Sequence, residues 1–218
     1  MKNRRVAFVV ATIGLLLFAA GFVAQHVGVA IDQEVADFSL AHRSHWSVAL
    51  ARFITTFGTL PVLGLVVGGF AGHRVWRRHC IDPVSLACAI ALLGSWSSYT
   101  VLKELIGRER PSAAYRASGA AGLAFPSGHA SQSFAVAGVL CLFVCNLGAV
   151  RKLAPSLTAV FIALALALAI GGSRVWLGVH WLTDIVGGIG VGLFWAGGAV
   201  AFLDDRGVHF GHSGVPDP

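Results

Sequence analysis

Six runs of uncharged residues decide what this chain can fold into: Val6 to Ala24, Phe53 to Gly72, Pro83 to Leu102, Ala130 to Val150, Leu153 to Ser173 and Ile185 to Leu203. Each is near the ~20 residues that carry a helix across ~30 Å of hydrocarbon. None repeats a polar residue at helical spacing, as the wet face of a soluble helix would. With 56% of residues hydrophobic, 12% charged and a mean hydropathy of +0.76, too little polar surface remains to solvate an ordinary domain of this size. The expected fold class is therefore all-α: a polytopic membrane protein built as a six-transmembrane-helix bundle.

Lys2, Arg4 and Arg5 precede the first run as they would in a secretory leader. That run is longer than the ~7–15 apolar residues of such a leader, so a retained first helix is expected. Gln25 to Arg52 is the first polar stretch, with Ile31, Val35, Phe38 and Leu40 set among Asp32, Glu34, Asp37 and His42. This rhythm predicts an interfacial helix after the first span, with Trp46 at headgroup depth. His26, His42 and His45 fit no compact metal site and are expected to be solvated. The connection from Arg108 to Phe125 is polar and rich in Gly and Ala, as a mobile loop over a site would be. Residues 1–204 are expected to form one membrane domain, followed by a polar, disordered tail at 205–218.

The formal net charge of +6 does not indicate nucleic acid, because the basic residues are scattered among short loops instead of forming a stripe. It predicts topology. With a cytoplasmic N-terminus, the inner face receives Lys2, Arg4, Arg5, Arg74, Arg77, Arg78, Arg151, Lys152 and Arg206, against seven basic residues outside. Both termini are then cytoplasmic in the plasma (inner) membrane, and the other face is periplasmic or exterior. Cys80, Cys88, Cys141 and Cys145 fall on the inner loop or inside apolar runs, so no disulfide framework is expected. Gly187, Gly188, Gly190, Gly192, Gly197 and Gly198 mark the last run as a close-packing helix.

Charged and titratable side chains cluster where the runs end, and intramembrane charge is costly enough that such a cluster points to function. Snorkelling accounts for a lone Lys103 or Arg110, but not for Arg174, His180 and Asp184 recurring together. If the sixth helix begins near His180, His180 and Asp184 share a face, where the carboxylate fixes one ring nitrogen and frees the other to attack. Pro126-Ser127-Gly128-His129 opens the fourth run, so the Ser127 and Gly128 amides are expected as unpaired anion donors. His129 is placed to protonate a leaving group. Lys103 and Arg110 at the end of the third helix, with Arg174 at the end of the fifth, form the cationic clamp that phosphoryl transfer requires. No carboxylate cluster or Gly-Lys-Ser/Thr loop is present to hold Mg²⁺, so no metal and no cofactor is expected.

Lys103 with Arg110-Pro111, then Pro126-Ser127-Gly128-His129, then Ser173-Arg174 with His180 and Asp184, resemble in order and spacing the three signature motifs of the type 2 phosphatidic acid phosphatase superfamily. Phe53 to Thr59 also looks like the segment that opens the second helix in that family. The resemblance implies a six-helix membrane bundle with its site on the outer face and a phosphohistidine on His180. It implies leaving-group protonation by His129, and phosphate binding by Lys103, Arg110, Ser127, Gly128 and Arg174. The expected activity is hydrolysis of a lipid phosphate or diphosphate, with the lipid substrate and the bilayer as the partners. A phosphotransferase to another lipid, and a non-enzymatic phospholipid-binding transporter or scaffold, are the alternatives. Neither the lipid nor the oligomeric state is legible in the sequence.

Overall fold

The structure is a computed structural model that describes residues 2–80, 82–146 and 153–206. Its elements are α1 (Lys2–Val27), α2 (Val29–His42), α3 (His45–Thr56), α4 (Leu60–Arg78), α5 (Pro83–Ile106), a 3₁₀ turn (Ala113–Tyr115), α6 (Gly128–Asn146), α7 (Leu153–Trp176) and α8 (Leu182–Asp205). No strand occurs among the described residues. In hydrocarbon the backbone has no water to bond to, so helices that satisfy their own amides are the available solution.

Among the described residues four helices, α1, α5, α7 and α8, are each long and apolar enough to cross a bilayer, and α3 with α4 makes a fifth candidate when the bent pair counts as one. The sequence predicts one continuous second run from Phe53 to Gly72. The chain instead breaks at Phe57-Gly58-Thr59 and turns through 47°. Pro61 in the first turn of α4 has no N–H to offer the preceding turn, so the helix cannot run through it. Over the described residues the apolar part of α6 is Gly128–Val144.

α8 is the central helix: 61% of its most apolar window is buried, against 17% for α1. It packs on α1, α5 and α6, around a core that includes Ala7, Ala87, Cys88, Ala135, Val139, Ala196 and Val200. Small residues set that geometry. A Cβ at Gly188 would stand 2.6 Å from the Ser127 carbonyl, and one at Gly21 would stand 2.7 Å from the Gly187 amide. Packing, not water exclusion, holds helices together in lipid, so these close approaches stabilise the bundle. The expected packing role of the α8 glycines holds for Gly187, Gly188, Gly190, Gly192 and Gly197, whereas Gly198 faces open space.

The polar stretch after the first span is two helices, α2 and α3, and Gln25 and His26 belong to α1. α2 turns a polar residue toward the bundle. Asp32, Ala36 and Ser39 are buried, while Ile31, Phe38 and Leu40 are exposed. The reason is a polar partner inside the bundle, described below. His26 and His42 bond the carbonyls one turn back, Phe22 O at 2.9 Å and Phe38 O at 2.8 Å. α8 continues through Asp205, one residue into the expected tail. Residues 207–218, Arg151, Lys152 and the Cys145 side chain lie outside what the structure describes.

Candidate active site

The C-terminal ends of α5 and α7, the N-terminal ends of α6 and α8, and the α3–α4 break meet at one end of the bundle. All eight residues singled out in the sequence gather there. His180 lies in the turn that precedes α8, and Trp181 is the N-cap. The expected helix face shared by His180 and Asp184 is therefore a helix cap. From the first turn of α8, Asp184 Oδ2 accepts the Trp181 amide at 2.8 Å and meets His180 Nδ1 at 3.1 Å. Both side chains are buried, Asp184 completely.

A carboxylate only accepts, so the ring proton resides on Nδ1 and Nε2 presents its lone pair. The guanidinium of Arg110 lies at the other end of the ring, NH1 to Nε2 at 3.1 Å, and it can only donate. Two independent partners thus select the same tautomer. Burial, then the charges of Arg110, Lys103 and Arg174, hold the imidazole well below its ordinary pKa. His180 is neutral at pH 7, with its lone pair on Nε2.

The cations are committed to different degrees. Lys103, in the last turn of α5, donates to Leu123 O at 2.6 Å and Ala124 O at 2.9 Å, which leaves one of its three protons. Arg110 is not on the helix: α5 stops at Ile106 with Gly107 as a left-handed cap at φ 69°, a conformation glycine adopts without cost. The loop then brings Arg110 Nε to Gly122 O at 2.9 Å and NH1 to Val179 O at 2.6 Å. Arg174, in the last turn of α7, donates from NH1 to Thr55 Oγ1 at 3.0 Å. Its buried Nε has no protein partner, and neither has the buried Ser127 Oγ.

The Ser127 amide was expected to be unpaired; it donates to the Asp184 carbonyl at 2.9 Å, which ties the α6 start to α8. The amides that follow it, from Gly128, open α6 where helix geometry provides no acceptor. Gly128 also backs onto Tyr99, whose ring would stand 2.8 Å from an added Cβ. His129 stands within the electrostatic reach of Arg174, His180, Arg110 and Lys103. Its ring edge lies against Gly58 in the α3–α4 break, 3.2 Å from where a Cβ would be. Among the described residues there is no group of three or more His, Cys, Asp or Glu placed to hold a metal ion. The arrangement suits an oxyanion: donors on several sides of a neutral, oriented imidazole nitrogen.

A sequence model of the PAP2 superfamily matches residues 83–207, more than half of the chain. The chain belongs to the PAP2 superfamily. It is similar to phosphatidylglycerophosphatase B of Bacillus subtilis (strain 168), 37% identical over 171 residues that cover 74% of this chain and 78% of that one. It is also similar to a putative undecaprenyl-diphosphatase, YbjG, of Escherichia coli (strain K12), 29% identical over 154 residues covering 68% and 69%. A crystal structure of a transmembrane PAP2 type phosphatidylglycerolphosphate phosphatase from Bacillus subtilis superposes with a TM-score of 0.75 at 26% identity, covering 94% of this chain and 98% of that one. The chain is thus an all-helical transmembrane PAP2 enzyme of the phosphoric ester hydrolase class.

The structure adds PAP2 site neighbours that sequence reasoning passed over. Thr55 orients Arg174 from α3. Arg108 donates from NH1 to Asp184 Oδ1 at 2.5 Å and from NH2 to Asp32 Oδ2 at 2.6 Å. The connection expected to be a mobile cover is held at several points: Arg43 and Arg52 donate to the Tyr115 and Ala117 carbonyls, Tyr115 OH donates to Asp37 at 2.6 Å, and Trp181 Nε1 donates to Glu109 O at 3.0 Å. A signal for Arg108 was present in the charge run Arg108-Glu109-Arg110, whose first residue lies inside the first motif. Nothing local marks Asp32.

Proposed function

We propose that this PAP2 member hydrolyses a phosphate or diphosphate ester of a membrane lipid, a glycerophospholipid or polyprenyl diphosphate, through a phosphohistidine on His180 without a metal ion. The single observation that carries this is His180 itself: Nδ1 is held by a buried carboxylate, which leaves the lone pair on Nε2, where it accepts from Arg110. In the first step Arg110 shifts its N–H from Nε2 to a phosphate oxygen, the freed lone pair attacks phosphorus, the bond from phosphorus to the leaving oxygen breaks, and His129 gives that oxygen its proton. In the second, water attacks the phosphohistidine, its proton returns to His129, and the P–N bond breaks to release phosphate. The incoming phosphate brings negative charge into the cluster around His129, which favours a protonated imidazole there. Lys103, Arg110, Arg174, Ser127 Oγ and the Gly128 amide are the donors for the equatorial oxygens.

We further propose six spans, formed by α1, α4, α5, α6, α7 and α8, with residues 1–204 as one domain. Each of these helices runs between the site and an opposite end where Arg4 pairs with Asp205 at 3.0 Å and Arg74 meets Asp82 at 3.6 Å. That opposite end gathers Arg4, Arg5, Arg74, Arg77 and Arg206, which by the positive-inside rule makes it cytoplasmic and the site periplasmic or exterior.

The test is phosphate release by purified protein from phosphatidylglycerophosphate, undecaprenyl diphosphate, phosphatidic acid and a soluble phosphate ester. Release from at least one lipid, inhibited by vanadate as a mimic of trigonal-bipyramidal phosphorus and insensitive to chelator, is expected. Chelator sensitivity without vanadate inhibition contradicts the metal-free route. Transfer to an added lipid acceptor in preference to water makes the protein a phosphotransferase.

A further inference from the structure

We infer that Arg108 and Asp32 are positioning residues that set the orientation of Asp184, and through it the attacking nitrogen of His180, so that α2 is coupled to the catalytic turn. This rests on His180 being the nucleophile, as proposed above. Asp184 stands among competing cations, since both Lys103 and Arg110 interact with its charge. A carboxylate that turned toward either would release Nδ1 and neutralise the phosphate clamp at once. Arg108 opposes this by holding Oδ1 at 2.5 Å, which leaves Oδ2 to the Trp181 amide and to His180 Nδ1.

Arg108 is itself fixed on three sides. NH2 donates to Asp32 Oδ2 at 2.6 Å, NH1 also donates to Thr183 Oγ1 at 2.6 Å, and the guanidinium lies over the Trp181 ring at 5.7 Å. Asp32, 2% exposed, reaches from α2 and is locked by the Thr183 amide at 2.9 Å and the Thr183 hydroxyl at 2.6 Å. Asp32, Arg108 and Asp184 form an alternating row of charges in which every oxygen and the arginine fork have a fixed partner. Snorkelling explains a guanidinium at a helix end, but not one shared between two buried carboxylates. The row also accounts for the burial of Asp32 on the face of α2 that meets Thr183 of α8.

Full-length Arg108→Ala, Arg108→Lys and Asp32→Asn are purified and assayed for kcat and KM, alone and combined with Asp184→Asn. Arg108→Ala is expected to lower kcat ~10–100-fold, as loss of an outer partner of a site group does, with KM little changed. Arg108→Lys recovers part of that rate, because it keeps the charge but reaches one carboxylate only. Once Asp184→Asn has removed the carboxylate, Arg108→Ala and Asp32→Asn are expected to cost almost nothing further. If Arg108→Ala does not fold, the isosteric Asp32→Asn carries the same comparison with a smaller kcat loss. An unchanged kcat in these variants, or an equal loss with and without Asp184→Asn, overturns the inference and leaves the pair as a staple between α2 and α8. His180→Ala with wild-type activity would instead sink the functional proposal beneath it.

Discussion

His180→Ala is expected to reduce lipid phosphate hydrolysis by about 10⁶-fold, to the background of the assay, which is the scale of loss when a nucleophile is removed from a preorganised site. The size follows from what the ring alone provides. Nε2 is the proposed nucleophile; the contacts from Asp184 and Arg110 fix its tautomer, and burial among cations keeps it unprotonated at pH 7. No neighbour offers a replacement. Ser127 Oγ is buried within the α6 cap, and no carboxylate is placed to take its proton: Asp184 is already shared by Arg108, Trp181 and His180. Phosphate release is measured on purified variant at substrate saturation, with the size-exclusion profile as the check on folding. Wild-type or near wild-type turnover refutes the nucleophile.

Arg174→Ala is expected to lower kcat by about 10²–10³-fold, the scale found when one preorganised donor to a developing oxyanion is lost. Among the clamp cations Arg174 is the least committed to the protein. Lys103 spends two donors on carbonyls and Arg110 braces Gly122 and Val179, whereas Arg174 makes one side-chain bond, to neutral Thr55, and leaves a buried Nε without a protein partner. Its charge is therefore available to a phosphoryl group with little structural cost to removal. Arg174→Lys should restore part of the rate, having the charge but not the fork. A loss confined to KM, or none at all, contradicts a role in stabilising the transition state.

The bundle and most of the pocket were legible because lipid imposes simple rules on a chain. Long uncharged runs must be helices, and charges retained at their ends must have a reason to be there. His180, Asp184, Lys103, Arg110, His129 and Arg174 could be assembled from three short segments because each segment lies at helix termini on the same side. Register within the turns was not legible. His180 and Asp184 are four residues apart, which reads as a helix face, yet Trp181 caps α8 and places His180 outside it. Ser127 N looked like a free donor because its acceptor is the carbonyl of Asp184, far along the chain. Asp32 was the furthest from view. On α2 it alternates with apolar residues as a solvated acid would, and only the location of Arg108 and Thr183, fixed by α5 and α8, turns that face inward.

The most direct measurement is to mix the purified protein rapidly with radiolabelled lipid phosphate, quench in base, and locate the label by peptide mass spectrometry. A phosphoramidate on His180, stable in base, labile in acid and accumulating within one turnover, is the expected result. Label on Ser127 or another side chain, or hydrolysis in one step with no phosphoenzyme, would contradict the account.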